Sequence, residues 1–269
     1  MPKSKSFLLV CGLGFHQGLL WTGLIHNRSN SYHEDDRYMK LNSRIILLFL
    51  AQCSTFFSAH VSAMSMVRSY ETLILFGGVE PDDAERFRKH LEKGVVKQVV
   101  LSESPGGDLK AGYAIAELIA ANKINTAVQG NCFSSCAIIF MAGVKRQMLA
   151  GKALSRTRLG FHGPHKKQTH EVAVAAIPHL REWLLAATQG KFPEEILNRA
   201  MYIDRAGDMM LFYYPGQSRF GDIRFCTEGS IRCEGVEGYD IVSVGILTTA
   251  ELLDSDSLAP AASGNKASQ

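Results

Sequence analysis

Three short stretches of this chain combine residue types and spacings that acyl-transfer chemistry requires. Ser104-Pro105-Gly106-Gly107-Asp108 follows the apolar run Val99 to Leu101 and precedes a helical pattern that starts at Asp108. It reads as a strand, a tight turn and a helix. The paired glycines let the backbone turn sharply and present bare N–H groups to an anionic oxygen. Further along, Gly130-Asn131-Cys132-Phe133-Ser134-Ser135-Cys136 repeats the arrangement, with a turn of small residues between a strand and an apolar helix. Leu159-Gly160-Phe161-His162-Gly163-Pro164 then puts a histidine at a strand end. A donor turn, a serine on a strand-to-helix turn and a histidine make up most of a serine hydrolase.

Such groups act only if a scaffold brings them together, and the pattern of elements indicates one. Glu71 to Phe76 reads as a strand closed by Gly77-Gly78, and Ala84 to Lys93 as an amphipathic helix with Phe87 and Leu91 on one face. Val95 to Leu101 is almost continuously apolar, as a strand buried on both faces of a parallel sheet would be. Leu109, Tyr113, Ile115, Leu118 and Ile119 form a helical stripe, Thr126 to Gln129 the next strand, and Phe133 to Ala142 a helix apolar nearly all round. Gln147 to Leu149 and Arg158 to Phe161 are short strands. Thr169 to Thr188 is a long helical region interrupted at Pro178, Pro193 to Tyr202 another helix, and Ile241 to Leu247 a run that closes the sheet. The alternation predicts a single α/β domain with a mainly parallel sheet flanked by helices. Its ligand crevice should lie at the strand C-termini, where all three signals fall.

The 269 residues divide unevenly. Lys40 and Arg44, the core Ile45 to Ala51 and the small-residue exit Ser58 to Ala63 have the three-part layout of a secretory signal, with cleavage after Ala63. Met39 would start a signal of normal length over 39–63, so 1–38 reads as an overcalled N-terminal extension. The rival reading makes Phe7 to Ile25 a retained membrane anchor. Residues 64–253 then form the α/β domain and 254–269 a disordered tail of small residues. Six of the 29 Lys/Arg and three of the 26 Asp/Glu lie in residues 1–63, so the remainder balances to zero charge. A nucleic-acid footprint would need a basic stripe on the folded part, and none is present.

Cys132, Cys136, Cys226 and Cys233 remain after cleavage. An even count in an exported chain favours disulfides. Cys226 and Cys233 flank a turn-like insert and suggest a hairpin bridge; Cys132 and Cys136 lie one helical turn apart and are close enough to bridge if that turn is distorted. A zinc site is the rival for the four thiols.

Ser104-Pro105-Gly106-Gly107 after a strand, Gly130-x-x-x-Ser134 opening an apolar helix that ends at Ala142-Gly143, and Arg158-Leu159-Gly160-Phe161-His162-x-Pro164 together resemble the Clp protease proteolytic subunit and its exported relatives within the Clp/crotonase fold. The resemblance runs from Leu73 to Gly221. It implies Ser134 as nucleophile, His162 as general base, and an oxyanion hole from the Gly106-Gly107 turn and the N–H of Ser135. The third member is implied to be Asp208, ahead of Met209-Met210-Leu211, with Asp204 the fallback. It implies a peptide or protein substrate and a homo-oligomer; no cofactor and no metal are expected, and Trp183, Leu184 and Leu185 on the long helix read as an exposed contact. Met64 to Tyr70 does not resemble the region that docks an unfoldase, so no unfoldase partner and no ATP dependence are expected. The location expected is periplasmic or secreted, with membrane attachment only if the N-terminal segment is kept.

Two other function classes stand beside the peptidase. A crotonase-type acyl-CoA enzyme shares the glycine oxyanion hole but needs no Ser-His pair, and an inactive relative would keep the fold as a binding or assembly module. Ser134 as a mere helix N-cap is the bland reading of the serine. His165 and His170 flank Lys166-Lys167 and read as a solvated loop over the cleft.

Overall fold

Apolar runs bounded by glycine and proline become the central strands, and short half-polar segments become the edges. A computed structural model describes residues 63–151, 154–166, 169–218, 221–227 and 232–258. The expected extension over 1–38, the expected signal up to residue 62 and the tail beyond residue 258 lie outside the described residues. The described residues belong to one compact unit, His60–Gln269.

Among the described residues nine strands form one sheet in the order β1-β2-β3-β4-β6-β7-β8-β9, with β5 pairing β4 beside β6. They are β1 (Ser65–Ser69), β2 (Thr72–Phe76), β3 (Gln98–Ser104), β4 (Asn125–Phe133), β5 (Arg146–Met148), β6 (Arg158–Phe161), β7 (Met209–Tyr213), β8 (Ile223–Thr227) and β9 (Arg232–Gly235). The helices are α1 (Asp83–Glu92), α2 (Leu109–Ala121), α3 (Ser135–Met141), α4 (Ile177–Ala187) and α5 (Glu194–Met201).

The sheet is mixed, which corrects the expectation of a mainly parallel one. The pairs β2–β3, β3–β4, β4–β5 and β4–β6 are parallel. The pairs β1–β2, β6–β7, β7–β8 and β8–β9 are antiparallel. A parallel partner needs a crossover of a dozen or so residues. The Tyr70-Glu71 turn and the links after β7 and β8 are too short for that, so both ends of the sheet are built from hairpins.

The parallel centre carries the core. Val99, Val100 and Leu101 in β3 are buried on both faces, and all seven residues of α3 are buried. Gly112 in α2 lets α3 approach, because a Cβ there would stand 2.8 Å from the Cβ of Ser135. Phe161 at the end of β6 packs edge-on against Phe192 and Phe212, fixing the strand end from which His162 emerges.

Four further expectations change. Ile241 to Leu247 is a buried turn, with Ile241, Val244, Ile246 and Leu247 in the core. It is held there by the buried Arg146, whose guanidinium donates to the carbonyls of Gly245, Ile246, Met141 and Gly143. Pro178 does not interrupt a helix: Val174–Ala176 is a short 3-10 turn, and Pro178 sits in the first turn of α4, where a missing N–H costs nothing. Leu184 is fully buried, while Trp183 and Leu185 are half-buried against the core, Trp183 edge-on to Tyr113, so this face of α4 is not an open contact. Ser255–Leu258, at the start of the expected tail, forms a 3-10 turn.

Candidate active site

β3 ends at Ser104, whose buried Oγ accepts the N–H of Gly106 at 3.3 Å. The chain then turns through Gly106 (φ 84°) and Gly107 (φ 150°), conformations open to glycine and rarely to other residues. Val79, in the loop after β2, fixes this turn. Its N–H donates to Gly106 O at 2.9 Å, and its carbonyl accepts the N–H of Asp108 at 2.7 Å. The C=O and N–H of a trans peptide point in opposite directions. With Gly106 O turned to Val79, the Gly107 N–H faces the other way, and Gly107 lines the central cavity. Asp108 closes the turn by capping α2, its Oδ1 accepting the N–H of Ala111 at 2.7 Å.

β4 passes into α3 through Ser134, which has φ 55° and ψ −125°. A residue with a Cβ holds that conformation only where its surroundings impose it, and such strain concentrates at catalytic turns. Here Ser134 N–H donates to Gly160 O at 2.9 Å, and Ser134 O accepts the N–H of Ala137 at 2.9 Å. The Ser134 side chain makes no capping bond to α3, so the N-cap reading is not met. Ser134 lines the cavity, whereas Ser135 is fully buried and its Oγ has no hydrogen-bond partner. Of the Ser-Ser pair, only the first presents its hydroxyl. Cys132 and Cys136 are joined by a disulfide across this turn, and a second joins Cys226 to Cys233 on paired positions of β8 and β9.

His162 follows β6, and its Nδ1 lies 2.8 Å from Gly163 O. A carbonyl only accepts, so in the neutral ring Nδ1 carries the proton and Nε2 keeps its lone pair. Gly163 is required at this point because a Cβ would meet Met201 O at 1.9 Å. Burial lowers the His162 pKa below its ordinary value. The Gly163 carbonyl opposes this and the charge of His165 adds to it. At neutral pH the ring is therefore an uncharged base.

One cavity of about 550 Å³ brings together Gly106, Gly107, Ser134 and His162, with Leu109, Ile138, Phe161 and Leu180 as its apolar wall. Asp208 is placed differently. It is buried just before β7, and its Oδ2 accepts the N–H of Arg205 at 3.2 Å. Because Phe161 pairs with Met210, that end of β7 lies beside the end of β6 that carries His162. Asp204, the fallback, is exposed.

Sequence reasoning missed Val79 and Gly163 as supports; the only trace of them was Gly77-Gly78 before one and Pro164 after the other. The reading of His165 and His170 as a solvated loop over the cleft agrees with their placement, His165 half-buried and His170 exposed. Both line the cavity, with their ring centroids 6.1 Å apart and the His165 ring 5.1 Å from that of His162. Among the described residues, no group of three or more His, Cys, Asp or Glu is disposed to hold a metal ion. No described helix is long and apolar enough to cross a membrane.

Comparison with known proteins gives one family match: residues 87–178 match the family described as Clp protease. No curated protein matches the chain. Among solved structures, a point mutant of ClpP1 from Listeria monocytogenes is 17% identical, covering 70% of this chain and 94% of its own, with a TM-score of 0.46. A mutant of the 1510-N membrane-bound stomatin-specific protease is 13% identical over 48% of this chain and 67% of its own, with a TM-score of 0.37. A Pseudomonas aeruginosa protein is 12% identical over 74% of this chain and 81% of its own, with a TM-score of 0.39.

Proposed function

We propose, on the match of residues 87–178 to the family described as Clp protease, that the protein is an exported serine peptidase that cleaves peptide bonds through an acyl-enzyme, without ATP. Ser134 is the nucleophile and His162 the general base. Nε2 of His162 takes the Ser134 Oγ proton as Oγ attacks the scissile carbonyl carbon, and the imidazolium then gives that proton to the departing amine. Water repeats the cycle on the ester and releases the acid. The N–H groups of Gly107 and Ser135 receive the negative oxygen of the tetrahedral intermediate. Gly106 supplies the fit rather than a donor, since its own N–H is spent on Ser104 Oγ. Asp208 steadies the imidazolium from the neighbouring strand, a role supported by its burial and by the β6–β7 register.

The observation that carries this reading is the pairing in one cavity of a serine at φ 55°, whose hydroxyl caps nothing, with a histidine whose Nδ1 proton is already engaged. The apolar wall would accept an apolar substrate side chain. Export is supported by the fact that all four cysteines of the domain are bridged, an arrangement kept in oxidising compartments. A homo-oligomer and the absence of an unfoldase partner complete the proposal. A quenched peptide library incubated with the wild type and with Ser134→Ala tests it. Cleavage by the wild type alone is expected. Peptide retention without cleavage by either protein would replace the peptidase with a binding module.

A further inference from the structure

We infer that the Cys132–Cys136 disulfide is a positioning device for Ser134, holding the backbone turn that presents the hydroxyl; the inference rests on the peptidase reading above. Ser134 lies midway between the two cysteines, whose Cα atoms are 5.3 Å apart and whose side chains are both fully buried. Each end of the bridge is anchored in its own element. Cys132 in β4 is in register with Ser104 of β3 and Leu159 of β6, so it sits between the strand that leads to the glycine turn and the strand that leads to His162. Cys136 belongs to α3, which is buried along its whole length. Between these anchors the backbone must pass through φ 55° at a residue that bears a Cβ. Hydrogen bonds hold Ser134 on both sides, to Gly160 O through its N–H and from Ala137 through its carbonyl. The disulfide closes a covalent ring around the strained residue and prevents it from relaxing toward an ordinary helix start.

A stabilising role alone fits the location poorly. The entropy that a crosslink removes from the unfolded chain falls as the closed loop shortens, and this loop joins residues only four apart. The Cys226–Cys233 bridge is the natural control. It fastens the β8–β9 hairpin, which lies beyond β6 and β7 from the Ser134 turn.

The test measures fluorophosphonate labelling of Ser134 in the oxidised wild type, in Cys132→Ala with Cys136→Ala, and in Cys226→Ala with Cys233→Ala. The saturating labelling rate, the half-saturating concentration, its pH midpoint and the melting temperature are recorded for each. Opening the first bridge is expected to lower the saturating rate on the order of tenfold to a hundredfold, the cost of a nucleophile misplaced by a fraction of an ångström. The half-saturating concentration and the pH midpoint should stay unchanged. Opening the second should lower only the melting temperature. If the first variant does not fold, the Cys226→Ala, Cys233→Ala protein, which keeps Cys132–Cys136 of the two bridges, is treated with dithiothreitol, which is oxidised to its cyclic disulfide as the protein disulfide becomes two thiols. Loss of the rate on reduction, and its return on reoxidation, then carries the inference. An unchanged rate with Cys132 and Cys136 shown open by alkylation, or equal losses from both bridges, overturns it. Oxidised wild type that takes no label at Ser134 overturns the peptidase reading itself, and the inference with it.

Discussion

Gly106 and Ser134 meet only because one of them lacks a side chain: a Cβ on Gly106 would stand 2.7 Å from the Cβ of Ser134 and 2.4 Å from Phe133 O. Gly106→Ala must therefore push the serine turn away from the glycine turn, and it also places a Cβ at φ 84°. The expected cost is about 1–3 kcal/mol of stability and about a hundredfold in acylation rate. Denaturant titration and burst kinetics read the two effects separately.

The engaged Nδ1 and lowered pKa of His162 determine the pH response. In the proposed mechanism the active form is the neutral ring, so kcat/KM is expected to be flat at neutral and alkaline pH and to fall through one proton, with a midpoint below the ordinary histidine value of 6.5. His165 contributes to that lowering, so His165→Asn should move the midpoint upward. A pH–rate profile of the two proteins checks both the position and the sign.

In the proposed mechanism the Gly163 carbonyl holds the His162 ring tautomer and Asp208 steadies the imidazolium. In a triad that relies on its aspartate for the tautomer, aspartate to asparagine costs about 10⁴ in kcat because the tautomer is lost. Here the Gly163 carbonyl, which can only accept, still selects the Nδ1–H form. Asp208→Asn is expected to lower kcat by only about tenfold to a hundredfold, while His162→Ala removes turnover. Steady-state kinetics of both variants decide the division.

The elements that position the site were legible for a physical reason. The apolar cores of β3, β4 and β6 are buried by the fold; Pro105-Gly106 follows β3, Gly163-Pro164 closes the turn after β6, and β4 runs on past Gly130 to deliver Ser134. The edges carried no such signal. β9 is exposed at every position, and β1 is half-buried. Ile241 to Leu247 looked like a strand because its burial is real, yet its carbonyls are satisfied by Arg146, about a hundred residues earlier in sequence, which no local pattern reveals. The direction of the strands after β6 likewise depends on how α4 and α5 return the chain. In the site, the serine, the histidine and the glycines could be read from turn chemistry. Asp208 came only through the family resemblance, and the carbonyl of Gly163 and the backbone of Val79 have no side-chain signature.

Arg146 supplies a prediction about stability that is independent of catalysis. Burial lowers its pKa to about 10, and its four carbonyl partners join the end of α3 to the 245–246 turn. Arg146→Met leaves those acceptors buried without a donor and should cost about 3–5 kcal/mol. Arg146→Lys should recover only part of this, since one ammonium cannot reach all four oxygens. Chemical denaturation of the three proteins gives the order expected: wild type, then lysine, then methionine.

In the proposed mechanism one hydroxyl, activated by one imidazole, forms a covalent adduct. Intact-mass and peptide-level mass spectrometry after exposure of the folded, oxidised protein to a fluorophosphonate measures this directly. One adduct per chain is expected, on Ser134, abolished by Ser134→Ala and by His162→Ala and slowed below the His162 midpoint. No adduct on folded protein, or an adduct that forms equally fast without His162, would contradict it.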